Sequence, residues 1–285
     1  MKSNPTQRLL LVDGSNLLFQ MFYGMPARIV NRDGKAIQGT LGFVGALLKI
    51  IRRTEPSHLA VIFDGEHEND RAALDPEYKA NRPDYSQIPD EDNPFSQLAD
   101  IYAALDYLGI AHTETTDCEA DDVLAAYAKT CGSQMDIILC SQDSDLFQLI
   151  TARVSVLRYR GERTVLCTPD YVLEKFGITA AQYADFKSLT GDSSDHIRGA
   201  EKVGPKTAAA LLRQFGTLEE ILLRTEEIQK PSMRESICRN RERLLINQKL
   251  IRLTGTAKLP FPISALRFCL PKCTTSEVLQ AIGLK

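Results

Sequence analysis

Three short apolar runs in this chain each lead into aspartate. Leu9-Leu10-Leu11-Val12 meets Asp13, and Leu59-Ala60-Val61-Ile62-Phe63 meets Asp64. Ile137-Ile138-Leu139-Cys140 leads through Ser141-Gln142 to Asp143 and Asp145. Runs of four or five bulky apolar residues bounded by polar turns suit buried strands. If those strands are parallel, their C-terminal ends share one edge, where open α/β sheets build their sites. Folding would then gather carboxylates from distant parts of the chain into one small volume. Such groups repel unless protons or cations neutralise them, and divalent cations are the usual remedy.

The segments between the runs have helical spacing. Leu41, Val44, Leu47, Leu48 and Ile51 mark a helix over Thr40–Arg53, and Leu98, Ile101, Leu105 and Leu108 mark one over Phe95–Leu108. A third helix runs from near Glu119 to about Thr130, a short one starts at Asp145, and Gly14-Ser15-Asn16 reads as a turn. Val154–Leu157 and Thr164–Leu166 read as a hairpin or edge strands around Gly161. Repeated βα units predict an α/β fold, with a largely parallel sheet covered by helices on both faces. Gly65 to Asn93 breaks the pattern: it is polar and holds Pro76, Pro83 and Pro89. A stretch of that kind inside a domain is a functional lid or disorder. From Pro169 onward short helices follow one another without strands, and from near Ser264 the pattern gives no assignment.

Composition removes several classes. No run of eighteen apolar residues exists, so no membrane span is expected. The first residues hold no secretory apolar region, and a cytoplasmic protein is expected. The seven cysteines are odd in number and scattered without a CxxC pair, which argues against a disulfide framework and a structural zinc site. The net charge of -3 conceals an asymmetry. Residues 61–150 carry 20 Asp+Glu against 4 Lys+Arg, whereas residues 151–255 carry 18 Lys+Arg against 13 Asp+Glu. An acidic, metal-hungry half thus lies beside a basic half suited to nucleic acid.

Two further acidic clusters join the strand ends. Asp117-Cys118-Glu119-Ala120-Asp121-Asp122 opens a helix, and Gly191-Asp192-Ser193-Ser194-Asp195 follows the helix expected over Ala180–Leu189. Helix capping explains one or two acids of the first cluster, not four in six residues. Oxygen ligands without an HxH or HxxxH pair suit Mg²⁺ or Mn²⁺ rather than zinc. Two such ions, roughly 3.5–4 Å apart, would serve in-line attack on a phosphodiester. No GxxxxGK[ST] loop, GxGxxG fingerprint or GxSxG elbow is present.

Basic elements supply the other half of the pattern. Tyr78-Lys79-Ala80-Asn81-Arg82, with Arg71 upstream, lies in the long polar stretch after Asp64. Lys and Arg clamp phosphates, and Tyr can stack on a base. Lys202-Val203-Gly204-Pro205-Lys206-Thr207 reads as a turn entering a helix, with Pro205 at its first position. Backbone N–H groups there, beside Lys206, make a phosphate seat that reads no bases.

Taken together, these residues resemble the bacterial and phage 5′ nuclease family, which includes the 5′→3′ exonuclease domain of DNA polymerase I and the flap endonucleases. The likeness runs from about Leu9 to Leu250. It rests on Val12-Asp13-Gly14-Ser15, Phe63-Asp64, Pro76-Glu77-Tyr78-Lys79-Ala80-Asn81-Arg82-Pro83, Glu119-Ala120-Asp121-Asp122, Gln142-Asp143-Ser144-Asp145-Leu146, Gly191-Asp192-Ser193-Ser194-Asp195 and Val203-Gly204-Pro205-Lys206-Thr207-Ala208. The resemblance implies a PIN-like, mostly parallel α/β sheet flanked by helices, a helical arch, and a helix–three-turn–helix that grips duplex DNA. It implies a catalytic domain over residues 1–168 with its arch at about 65–95. A helical DNA-binding subdomain at 169–260 would hold the helix–three-turn–helix at about 187–216, and 261–285 would form a C-terminal segment.

The same resemblance implies a structure-specific, two-metal 5′ nuclease acting on branched or 5′-flap DNA, and on RNA-primed DNA, in replication or repair. The carry-over places one metal site at Asp13, Asp64, Glu119 and Asp121. The other falls at Asp143, Asp145, Asp192 and Asp195, with Asp122 nearby. Tyr78, Lys79 and Arg82 match residues that meet the scissile phosphate. Arg71, Lys202, Gly204, Lys206 and Thr207 are the expected DNA contacts. Two departures stand out. The family often reads Asp-Asn-Ile-Pro-Gly where this chain has Asp195-His196-Ile197-Arg198-Gly199, and Gly-Ile-Gly where it has Lys202-Val203-Gly204. The glycine hairpin can hold a monovalent cation such as K⁺ on backbone carbonyls, and here Lys202 offers a positive charge instead. With no polymerase domain after Lys285, a stand-alone monomeric nuclease is expected. A branched-DNA binding module without turnover and a PIN-type ribonuclease remain alternatives.

Overall fold

A computed structural model of the chain describes residues 7–65, 70–81, 83–269 and 272–285. The apolar runs become β1 (Arg8–Asp13), β2 (His58–Phe63) and β4 (Asp136–Cys140), joined by β3 (Ala111–Glu114), β5 (Val154–Arg158) and β6 (Val165–Cys167). They form one sheet in the order β3-β2-β1-β4-β5-β6. Every neighbouring pair is parallel except β5 with β6. The register pairs Asp13 with Ile62 and Val12 with Cys140, so the acidic ends of β1, β2 and β4 share one edge.

Strand alternation divides the core. Leu9, Leu11, Ala60, Ile62, Ile137 and Leu139 face one side, against α5 (Ala120–Cys131) and the later helices. Leu10, Val12, Leu59, Val61, Phe63 and Ile138 face the other, against α1 (Gly14–Gly24), α2 (Gln38–Thr54) and α4 (Leu98–Tyr107). The polar stretch before α4 holds α3 (Asp70–Leu74) and two 3-10 turns, Tyr85–Gln87 and Pro94–Gln97.

The helical half comprises α6 (Pro169–Phe176), α7 (Tyr183–Thr190), α8 (Pro205–Phe215), α9 (Leu218–Leu223), α10 (Pro231–Arg239) and α11 (Arg241–Ile251). Asn247 on α11 donates to the carbonyls of Ser188 (3.0 Å) and Arg198 (2.8 Å), tying the α7–α8 connection to its neighbour. The terminal α12 (Thr275–Ala281) buries Val278 in the α2–α4 side of the core.

Several expectations are corrected. Gly14-Ser15-Asn16 opens α1 rather than a turn, because Asp13 caps that helix by accepting from Asn16 N. β3 was not foreseen, since Ala-His-Thr-Glu has no apolar run and is only half buried. The region after Pro169 does hold strands: β7 (Gly191–Asp192) pairs with β8 (Ile197–Arg198) in a hairpin whose two-residue strands are too short for periodicity to mark. Among the described residues no helix is long and apolar enough to cross a membrane.

Candidate active site

The sheet order changes direction between β1 and β4, the crevice where α/β folds place ligands. Asp13 closes β1 there. Its Oδ1 accepts from Asn16 N at 3.0 Å and its Oδ2 from Ser141 Oγ at 2.8 Å. The next residue has to be glycine: a Cβ at Gly14 would sit 2.5 Å from the Phe63 ring on which α1 rests. Asp64 follows β2, its N–H donating to Ser15 Oγ at 2.8 Å and its Oδ1 accepting from Ala120 N at 2.8 Å, where α5 begins. After β4, Ser141 Oγ accepts from Asp143 N at 3.0 Å, and Asp143 Oδ1 accepts from Asp145 N at 2.8 Å. Each acid is therefore fixed by a neighbouring element's backbone or serine.

Asp13, Asp64, Glu119, Asp121 and Asp143 line a cleft of about 550 Å³, and Lys79 is the basic side chain among its walls. Phe19, Tyr85 and Phe95 form an aromatic wall, with ring centroids 5.2–5.3 Å apart. A second group lies beside it: Asp145, Asp192 and Asp195 bring carboxylate oxygens within 4.8 Å of one another. Asp143 lines the cleft with the first group, and its charge raises the proton affinity of both Asp13 and Asp145. It thus stands between the groups rather than wholly with the second.

The electrostatics are those of carboxylates gathered under burial. Burial, then Asp64 and Asp143, push the Asp13 carboxyl up to about 7. Burial raises Asp145 to about 7 against the pull of Lys187, with Asp143 adding to the rise. Asp121 and Asp122 also rise, chiefly through burial, despite Arg71. Asp192 is lowered: burial opposes its charge, but Lys187 and Ser194 outweigh burial.

Basic side chains answer part of this charge. Arg71 pairs with Glu119, with Asp122 at 2.7 Å and with Asp121 at 3.6 Å, so it is engaged with acids at the start of α5. Lys79 also pairs with Glu119, its ammonium 4.8 Å from the Tyr78 ring centroid. Tyr78 is buried among Ala184, Ile197, Leu250 and Ile251, with its hydroxyl 3.4 Å from Glu119 Oε2. Arg82 lies outside the described residues. Lys202, Gly204 and Lys206 are exposed and Thr207 half-buried around the start of α8, which Gly204 caps and Pro205 begins. They stand apart from the cleft lining.

Both family departures take left-handed backbone. His196 has φ 59° and Lys202 φ 64°, so each accepts a conformation that asparagine or glycine adopts more readily. His196 Nδ1 lies 3.1 Å from the Glu77 carbonyl, and Lys79 N donates to the Asp195 carbonyl at 3.1 Å. The 77–79 turn therefore seats on the 195–196 turn.

Sequence reading missed Lys187, a buried lysine on α7 that pairs with both Asp145 and Asp192. Its signal was a lysine between Phe186 and Leu189 on a helix buried on most sides. It also missed Ser15 and Ser141, whose roles depend on neighbouring elements.

Two family descriptions match consecutive parts of the chain: a 5′-3′ exonuclease N-terminal resolvase-like domain over residues 8–177, and a 5′-3′ exonuclease C-terminal SAM fold over 178–273. The chain belongs to the 5′-3′ exonuclease family. Among its relatives, the thermostable DNA polymerase I of Thermus thermophilus is 35% identical over 289 residues, covering 98% of this chain and 34% of the relative. DNA polymerase I of Rhizobium leguminosarum is 35% identical over 266 residues, covering 90% and 26%. The chain thus spans about a third or less of the relatives' length. T5 5′-exonuclease with bound divalent metal ions (zinc) superposes with TM-score 0.73 at 23% identity, covering 97% of this chain and 100% of that one. The catalytic core of Rad2 with a DNA substrate gives 0.58 at 16% identity, covering 97% and 93%. These structures share the fold of this 5′-3′ exonuclease family member: a PIN-like resolvase sheet followed by SAM-like helices.

Proposed function

We propose that this chain is a divalent-metal-dependent 5′ nuclease that cuts branched or 5′-flap DNA and 5′ ends, RNA-primed DNA included, as a monomer. One observation carries the reading most: carboxylates from five separated segments converge on the β1/β4 crevice and the acidic group beside it, and burial raises the proton affinities of Asp13, Asp121 and Asp145 among them. The donor set fits hard cations. It is all oxygen, and Asp121 Oδ1 is buried with no hydrogen-bond partner. Asp13, Asp64, Glu119, Asp121 and Asp143 would hold one Mg²⁺ or Mn²⁺, and Asp145, Asp192 and Asp195 a second, with Asp122 in support. Bound ions would supply a water of lowered pKa and neutralise charge on the phosphate.

The chain's own side chains provide the rest. Lys79 stabilises phosphate charge from the cleft wall, Tyr78 holds Lys79's turn in place, and Arg82 continues the same segment. Phe19, Tyr85 and Phe95 offer aromatic faces on which an unpaired base can stack. The division at 168/169 assigns the cleft to the sheet domain. The helical subdomain to 260 carries Lys202, Gly204, Lys206 and Thr207 to duplex phosphates, with K⁺ at the hairpin carbonyls or the Lys202 ammonium in its place. Of the terminal segment 261–285, α12 braces the α2–α4 side through Val278, while Phe261, Ile263 and Leu266 pack on the α5 side. Arg71 has a second role beside its phosphate contact, holding Glu119 and Asp122 in position.

Cleavage of a 5′-flap DNA duplex in Mg²⁺ and in Mn²⁺ tests the reading. The double substitution Asp143→Asn and Asp145→Asn lowers the rate by about 10³-fold, the scale of losing transition-state charge stabilisation, while flap binding persists. Undiminished cleavage by that variant sinks the assignment. Binding without product from the unsubstituted chain in both metals points to a branched-DNA binder. Preferential cutting of a matched RNA flap points to a ribonuclease.

A further inference from the structure

A basic pocket of about 150 Å³ lies outside the cleft, lined by Arg158, Arg160, Arg163, Val165, Tyr171 and Lys175. Among the described residues no acid lines it. Glu162, Asp170 and Glu174 are close in sequence, but none of them lines it. Some surface arginines elsewhere find carboxylates: Arg153 pairs with Asp136, Arg224 with Glu227 and Arg239 with Glu235. Among the described residues, Arg158, Arg160, Arg163 and Lys175 have no such partner. Four like charges brought together repel one another unless an anion joins them.

The pocket is held in shape. Gly161 turns the chain at φ 61°, Arg163 N donates to the Arg160 carbonyl at 3.2 Å, and Arg160 N donates to Thr164 Oγ1 at 3.0 Å. Lys175 Nζ donates to the Tyr171 hydroxyl at 2.9 Å. Arg158 Nε is buried with no hydrogen-bond partner.

Its position links it to the acids. β5 is parallel to β4, so Arg158 at the end of β5 shares the sheet edge that carries Asp143. Arg158 Nη2 donates to the Gln142 carbonyl at 3.0 Å, and Arg160 Nε donates to Gln142 Oε1 at 3.1 Å. Gln142 immediately precedes Asp143 in the cleft wall. One loop residue therefore binds two of the guanidiniums and is the chain neighbour of a cleft carboxylate.

We propose that this pocket is a second phosphate seat, holding a backbone phosphate of the nucleic-acid strand whose scissile bond lies in the cleft. The inference rests on the reading of the chain as a DNA nuclease. Guanidinium forks suit phosphate oxygens, and contact to phosphate fixes register without reading sequence. The seat would hold the strand on the β5 side of Gln142 while the α8 turn holds duplex elsewhere.

The test compares the full chain with the double charge reversal Arg160→Glu and Arg163→Glu, both at exposed positions, and with Arg160→Lys plus Arg163→Lys. Flap-duplex affinity is measured under chelation over a range of salt concentrations. Charge reversal is expected to weaken binding about tenfold or more and to flatten the dependence of log K on log salt by about 0.7–0.9 for each phosphate no longer held. The lysine pair restores most of both. Unaltered affinity and slope in the reversal variant, with wild-type cleavage intact, overturns the seat. Unaltered affinity and slope together with a weaker binding of added inorganic phosphate by the reversal variant than by the wild-type chain also overturns it and assigns the pocket to a free anion. Absence of cleavage by the wild-type chain instead overturns the nuclease reading.

Discussion

The two carboxylate groups meet the same electrostatic problem by different means. In the cleft group, Asp13 and Asp64 are fixed by hydrogen-bond donors on rigid elements, Asn16 N and Ser141 Oγ for the first and Ala120 N for the second, whereas Glu119 meets Arg71 and Lys79. The second group joins Asp145, at the start of the 3-10 turn after β4, to Asp192 and Asp195 of the short β7–β8 hairpin, with the ammonium of Lys187 on α7 placed between Asp145 and Asp192. Oriented dipoles leave Asp13 short of charge balance, as its rise shows. A lysine supplies a whole charge, and Asp192 drops accordingly, although Asp145 does not. Pre-organised donors and an internal counter-charge are thus alternative ways of gathering acids before a metal arrives.

The largest effect expected from this contrast is on pH and metal. Asp13 and Asp145 stand at about 7 in the folded chain against an ordinary 3.8. The folded state then keeps protons that the unfolded chain has released, so stability falls as pH rises from about 4 to about 7. At about 1.4 kcal/mol per unit for each group, the change from pH 5 to 7 is on the order of 5 kcal/mol. Urea titrations with chelator measure it, and saturating Mg²⁺ flattens the slope because cations replace the protons. A chelated protein equally stable at pH 5 and 7 breaks the comparison.

Next in size is Lys187→Met, which strands two buried carboxylates and lowers chelated stability by about 3–5 kcal/mol. Mg²⁺ should recover most of that loss. A deficit untouched by Mg²⁺ would mean that Lys187 packs rather than balances charge. Ser141→Ala belongs to the cleft group and is smaller, about 1–3 kcal/mol, because it removes one donor to Asp13 and leaves Asp143 N unsatisfied. Its loss is expected to persist in Mg²⁺, and full recovery there would erase the distinction between the groups.

How much of this was legible in the sequence follows the same division. Strand ends were readable because an apolar run that stops at an acid combines two local signals, and the shared edge followed from parallel pairing. The place of Asp143 between two groups was not readable, since it depends on how the loop after Cys140 turns. Ser141 and Lys187 gave weak signals, because one donates across strands and the other meets acids on separate elements. α1 was hidden by Gly14, which looks like a turn residue but is required by the Phe63 ring beneath it. β3 was hidden by polar side chains at a half-buried edge.

The Tyr78 ring gives the cleft wall a measurable stiffness. Its seat among Ala184, Ile197, Leu250 and Ile251 pins the turn carrying Lys79 to helices that lie outside the sheet. Burial of such a ring favours the seated form by about 1.5–3 kcal/mol. A change in how that one ring fits would therefore reach the cleft wall from the helical half without touching any of the acids.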